Sequence, residues 1–274
     1  NRFWQALFGR GLVASADDFG IQGTEPTHPE LLDWLCRDFQ RHDWQIKPVL
    51  RTILLSHTYR QASRLADSRQ AMQADPDNRL LWRMPLRRLE SEAIRDSLLS
   101  VAGELDSSLG GPPVPQQALP DGRIKIPLDK LKRPFDHRRR SVYLVTRRGY
   151  SLTLLDVFDQ PAILTTCSQR QTSAVPLQSL AMINGPFVYE QATVLAGRAV
   201  TTAGEDVGRL IETLFRRALC REPDPRERTL CRQTLAADIE SFLKAGHDRT
   251  SARRQAVVEL AHTLLNTSEF LYRE

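Results

Sequence analysis

Apolar residues recur at helical spacing along nearly the whole chain, and this periodicity constrains the fold more than any other feature. Phe3, Trp4, Leu7 and Phe8 share one stripe at the start. Leu31, Leu32, Trp34, Leu35 and Phe39 make a broader one, and Val49, Leu50, Ile53 and Leu54 a third. Leu89, Ala93, Leu98, Val101, Ala102 and Leu105 share a core-facing surface. So do Val207, Leu210, Ile211, Leu214 and Phe215, and then Val257, Val258, Leu260, Ala261, Leu264 and Leu265. The pattern predicts a mainly α, multi-helix globular domain with at most one or two short strands. No apolar stretch approaches the ~20 residues of a membrane span.

Punctuation between the stripes predicts helix ends. Thr27-His28-Pro29-Glu30 reads as a capping box with Thr27 as N-cap, and Asp224-Pro225-Arg226-Glu227 as a second N-cap. Asn184-Gly185-Pro186 reads as a C-terminus with Gly at C′. Residues 106–173 form an irregular Pro/Gly- and Arg-rich middle, in which Ser141–Thr146 is either a strand or a buried extended segment. The expected organisation is one domain over 1–274, with lobes 1–105 and 174–274 packed together. A helix at the first residues, without an initiator Met, reads as a fragment of a longer protein.

Composition narrows the class. The 274 residues are 41% hydrophobic and 26% charged, with four cysteines, which argues against a disordered chain, a collagen and a disulfide-stapled miniprotein, while two disulfides among the four cysteines stay open. Cys36, Cys167, Cys220 and Cys231 form no C-x-x-C pair. Cys36 and Cys220 are expected to pack as small buried hydrophobes, and neither a metal site nor a haem attachment is expected in this chain. His57, His137, His247 and His262 are expected at the surface or at caps.

Four constellations carry chemistry. Asp17 and Asp18 precede His28 and Glu30, a set able to bind a hard cation or act as acid and base; the competing account is amide capping. Asp17-Asp18-Phe19-Gly20 lacks the Gly-rich loop, strand lysine and H-R-D loop that a kinase needs. Arg88, Glu92 and Asp96 share a helix face, either as paired acids or as an ion-pair ladder with Arg95. Arg123–Arg148 carries a local charge of +8 within a chain of net +5. It includes Arg139, Arg140 and Arg148, and suits either an anionic partner or internal pairing. No recognisable nucleic-acid module accompanies it, so nucleic acid is the weaker partner. Finally, Arg170 and Ser173 precede Pro176 as a candidate anion pocket, with Ser173 as a helix N-cap the alternative.

The ordered segments resemble a known family. Asn1-Arg2-Phe3-Trp4, Phe8-Gly9-Arg10-Gly11-Leu12-Val13, and Asp18-Phe19-Gly20 with Pro26 to Leu35 are similar to its opening. Ser56-His57-Thr58-Tyr59-Arg60-Gln61, Arg88 to Asp96, Arg140-Ser141-Val142-Tyr143 and Phe158-Asp159 follow in order, then Arg170 to Ser173, Pro176 to Leu180 and Leu265 to Leu271. The chain thus resembles the C-terminal domain of unknown function 1553 of large exported, planctomycete-type proteins. That resemblance implies a signal peptide, upstream companion domains, haem c only in an upstream cytochrome module, and a periplasmic or cell-envelope location. It supplies no catalytic residue.

Three functions are expected. The first is a helical interaction or scaffold domain that contacts upstream domains and presents an anion-binding surface, for example to an acidic glycan. The second is an enzyme domain acting on glycans or in redox chemistry, with a polar centre of Asp17, Asp18, His28, Glu92 and Asp96 and anion ligands Arg139, Arg140, Arg170 and Ser173. The third is nucleic-acid binding through 123–148.

Overall fold

The computed structural model describes residues 1–147, 151–162 and 167–273, and thirteen α-helices account for most of the regular structure among them. Among the described residues no helix is long and apolar enough to cross a membrane. The chain divides into two units, Asn1–Arg87 with the C-terminal residues from Tyr272, and Arg88–Leu271.

The first unit holds α1 (Arg2–Phe8), α2 (Pro29–Arg41), α3 (Ile46–Leu54), α4 (His57–Arg60) and α5 (Arg69–Ala74). Its core is aromatic-rich. Trp4 stacks on Phe8 at 4.3 Å, the i,i+4 neighbour on one helix face, and Phe8 meets the edge of Tyr59 at 5.7 Å. Leu12, Val49, Ile53 and Met84 complete it, with the stripe Leu31, Leu32, Leu35 and Phe39 packed against them. The open carbonyls of α1 are met by cations: Arg87 Nη1 donates to Ala6 at 2.8 Å, and Arg273 Nη2 to Ala6 and Leu7 at 2.9 and 3.0 Å. The expected capping box at Thr27 does not form. His28 is the N-cap of α2, and Thr27 Oγ1 donates instead to the Leu12 carbonyl at 3.3 Å. A long-range backbone acceptor outcompetes the local amide.

The second unit is organised around α9 (Pro186–Ala203), which packs against α6 (Ser91–Ala102), α10 (Val207–Leu219) and α12 (Arg249–Leu265). Small residues on α9, namely Ala192, Ala196 and Ala199, are essentially fully buried and admit close helix approach. Short helices α7 (Thr153–Val157), α8 (Pro176–Asn184) and α13 (Ser268–Leu271), and the long α11 (Pro225–Lys244), complete the unit. Within this unit α6 packs on α9, and the boundary between the two units falls at Arg87/Arg88, inside the expected lobe 1–105.

Among the described residues the middle is largely irregular, apart from α7. It contains a hairpin pairing Gln117 with Lys125 and Ala118 with Ile124. Ser141–Thr146 is not a strand: Ser141–Tyr143 is a single 3-10 turn, followed by a parallel bridge of Leu144 to Val114. Two further expectations fail for packing reasons. Cys36 and Cys220 are exposed and only Cys231 is buried: α2 turns Leu31, Leu32, Leu35 and Phe39 inward instead of Cys36, and Cys220 lies past the end of α10 as its left-handed C-cap. His262 is buried and donates through Nε2 to the Met182 carbonyl at 3.0 Å.

Candidate functional site

The polar residues of the second unit assemble into three nodes. The first is on α6. Arg95 is 1% exposed, and burial lowers its pKa to about 10, against an opposing pull from Asp96. Its Nη1 donates to the Arg139 carbonyl at 2.9 Å and to Ser141 Oγ at 3.1 Å, and its Nη2 to the His137 carbonyl at 2.6 Å. Asp96, one residue on, accepts from the Ser141 amide at 2.8 Å and the Ser141 hydroxyl at 2.7 Å. Consecutive α6 side chains thus grip 137–141 by its backbone.

Arg139 extends the chain of contacts. It is fully buried, its Nη1 donates to the Pro112 carbonyl at 2.8 Å, and its Nη2 donates to the Gly110 carbonyl. Its guanidinium lies 3.8 Å from the centre of the Tyr143 ring, a desolvated cation–π contact. The order of restraint runs from α6 through Arg95 to 137–141, and through Arg139 to 110–112.

The second node centres on Asp159. It accepts from the Ser173 amide and hydroxyl, each at 2.8 Å, and from Arg88 Nη2 at 2.8 Å. Burial pushes this carboxyl up, but Ser173 and Arg88 together hold it below its ordinary value. Arg88 also donates to the Ser173 and Phe158 carbonyls, and Gln178 of α8 reaches Ser173 Oγ at 3.1 Å. Ser173 is therefore not a helix N-cap: Val175 begins α8 without side-chain help, and the Ser173 hydroxyl is occupied by Asp159.

The third node is a two-pronged pair, with Arg170 Nη1 and Nη2 donating to Glu92 Oε2 and Oε1 at 2.6 and 3.1 Å. Glu90 lies 3.3 Å from Arg170. Burial raises the Glu92 carboxyl, and the Arg170 hydrogen bonds more than offset that, leaving its pKa lowered.

The residues of the expected polar centre belong to both units. Asp17, Asp18 and His28 belong to the first unit. Asp18 Oδ1 accepts from the Gly20 amide at 2.8 Å, the amide-capping use, and His28 Nδ1 sits 2.9 Å from Thr27 Oγ1. Among the described residues, no three His, Cys, Asp or Glu side chains converge as metal ligands, so these residues and Glu30 form no cation cluster. Glu92 and Asp96 share α6 but serve different partners, Arg170 and Ser141. An acid–base pair needs one carboxyl raised towards neutrality, whereas Glu92 is lowered.

The expected anion ligands are drawn inward. Arg139 has two donors on carbonyls, Arg170 is paired, and Ser173 is bonded to Asp159. Arg140 is the most open of them, half exposed and 3.9 Å from Asp96. Elsewhere in the basic stretch Arg123 pairs with Asp121, Arg133 with Asp136 and Arg138 with Glu104; Arg148 lies outside the described residues. Ser141, Asp159 and Gln178 were missed as polar partners. The signal for Asp159 is its place immediately after the core residue Phe158, ahead of an irregular stretch.

Fold and site together define a mainly α-helical domain in which buried arginines brace an irregular middle. The chain belongs to the family described as Protein of unknown function (DUF1553), whose model matches residues 1–235 of the 274. No curated protein and no solved structure matches it.

Proposed function

We propose that the chain is a helical interaction domain of a larger exported protein of the cell envelope, docking on the other domains of that protein. The observation that carries this reading is α8. Gln178 and Met182 anchor its inner face. At 100° per residue, Leu177, Leu180 and Ile183 fall on the opposite face, and each is more than half exposed. Val175, just before the helix, is 43% exposed. A helix that is apolar on both sides marks an association surface. The Asp159 node pins the segment leading into α8, so the ridge is held in one orientation. Pre-ordering of this kind lowers the cost of association.

Oxidative footprinting of side chains tests the reading, comparing this chain alone with the same chain inside its full-length polypeptide. Leu177, Leu180 and Ile183 are expected to become roughly tenfold less reactive in the full protein, as burial at an interface core requires. Equal reactivity in both settings overturns the reading.

A further inference from the structure

An open cleft of about 560 Å³ lies at the N-terminal end of α10, bordered by α11. Arg209 and Arg216 of α10 and Arg228 and Arg232 of α11 line it. Only two carboxylates, Asp206 and Glu212, share the lining. Their use is accounted for: Glu212 accepts from Arg228, and Asp206 caps α10 by accepting from the Arg209 amide at 3.0 Å. Arg216 pairs with Glu222 at 2.5 Å. The guanidiniums of Arg209 and Arg232 have no hydrogen-bond or ion-pair partner among the described residues. Both side chains are exposed, so their charge faces the opening.

The backbone adds donors. The amides of Val207 and Gly208 begin α10 and donate to nothing among the described residues. They sit where the helix dipole is positive. The absence of a side chain at Gly208 lets these groups crowd the first turn: a Cβ there would lie 3.1 Å from an Arg232 Nη and 3.2 Å from Asp206 Oδ1. Two unpaired guanidiniums, two free amides and a glycine between them make a concave site for a doubly charged tetrahedral oxyanion.

We propose that this cleft binds a phosphate monoester group of a small molecule, with Arg209 and Arg232 as charge partners and the α10 amides as backbone ligands. This site shares no residue with the α8 ridge, so either proposal can fail without the other. A phosphate monoester carries close to two negative charges at neutral pH and accepts forked hydrogen bonds. The cleft volume falls within the range of small-ligand sites.

Titration calorimetry of the whole chain tests this with three probes: inorganic phosphate, glucose 6-phosphate and glucose 6-sulfate. Saturable one-to-one binding of glucose 6-phosphate is expected, weaker binding of inorganic phosphate, and weaker still of the singly charged sulfate. Equal affinity for the two phosphate probes would assign the site to the free ion and overturn the ester. Arg209→Ala and Arg232→Ala are each expected to weaken glucose 6-phosphate binding at least about tenfold, the loss of one charge-assisted contact. Both remove exposed side chains without partners among the described residues, so their unfolding curves should match the parent. Gly208→Ala approaches from the backbone side; it should weaken binding while leaving Tm unchanged or raised, since Ala favours helix. Lys132→Ala, an exposed cation of the irregular middle, should leave binding unchanged. Absence of binding up to roughly 10 mM probe, or equal losses in Lys132→Ala and Arg232→Ala, overturns the proposal.

Discussion

Arg95 and Asp159 show how single residues hold this molecule together. Arg95 donates to two carbonyls and a hydroxyl of one irregular segment, and burial is compensated only while all three remain. Arg95→Ala leaves those acceptors buried and unmet, and is expected to cost about 3–5 kcal/mol in urea unfolding. Arg95→Lys should recover little of this, because a point ammonium cannot reproduce a planar fork of donors. Asp159 makes a pH prediction. Its folded pKa lies below the ordinary 3.8, so the stability it contributes is fully present above pH 3.8 and disappears as the pH falls through the lower folded value. Asp159→Asn should therefore lower stability by about 2 kcal/mol near neutrality, the scale of hydrogen bonds to a charged group. The thermal-melting curves of parent and variant should converge in acid. A gap that persists at the lowest pH would show that geometry, not charge, carries the node.

At the scale of elements, local chemistry decides some helix ends and tertiary contacts decide others. Asp224 caps α11 reciprocally: its side chain accepts from the Glu227 amide at 2.7 Å, and Glu227 accepts from the Asp224 amide at 2.8 Å. All the partners lie within four residues, so this cap was legible in the sequence. Asp224→Ala should cost about 1 kcal/mol in denaturant unfolding. The α8–α9 junction was legible in position but not in cause. Gly185 has φ −71°, not the left-handed value expected of a C′ glycine. It is needed for space, since a Cβ would meet the Ala181 carbonyl oxygen at 2.2 Å. Gly185→Ala is expected to destabilise by about 1–3 kcal/mol through forced backbone movement, and to speed amide exchange in α8 more than in α10. The turn at Ser141–Tyr143 was not legible: a β-rich run has no local mark of the α6 side chains that take its backbone groups.

At the scale of the whole molecule, the second unit depends on α9 as its central helix. Leu195 is fully buried there, and Leu195→Ala should cost about 2–5 kcal/mol, read as faster hydrogen exchange across α9, α10 and α12. Smaller effects confined to the ends of α9 would mean that the core lies elsewhere. The sequence by itself determined the mainly helical class, most of the residues that face inward (Trp34, Leu54, Ala93 and Val207 of the stripes are exposed), several helix boundaries and the family. Each rests on residues within one or two turns of one another, or on their order along the chain. Tertiary structure alone decided that the chain divides at Arg87/Arg88, that Arg139 faces carbonyls instead of an anion, and that Asp159 and not a helix amide engages Ser173. Only the fold also placed four arginines of α10 and α11 around one cleft. A buried charge takes whichever partner the fold brings within hydrogen-bonding distance, and separations of 14 to 46 residues, as from Asp159 to Ser173 and from Arg95 to Ser141, leave no periodic trace in a linear sequence.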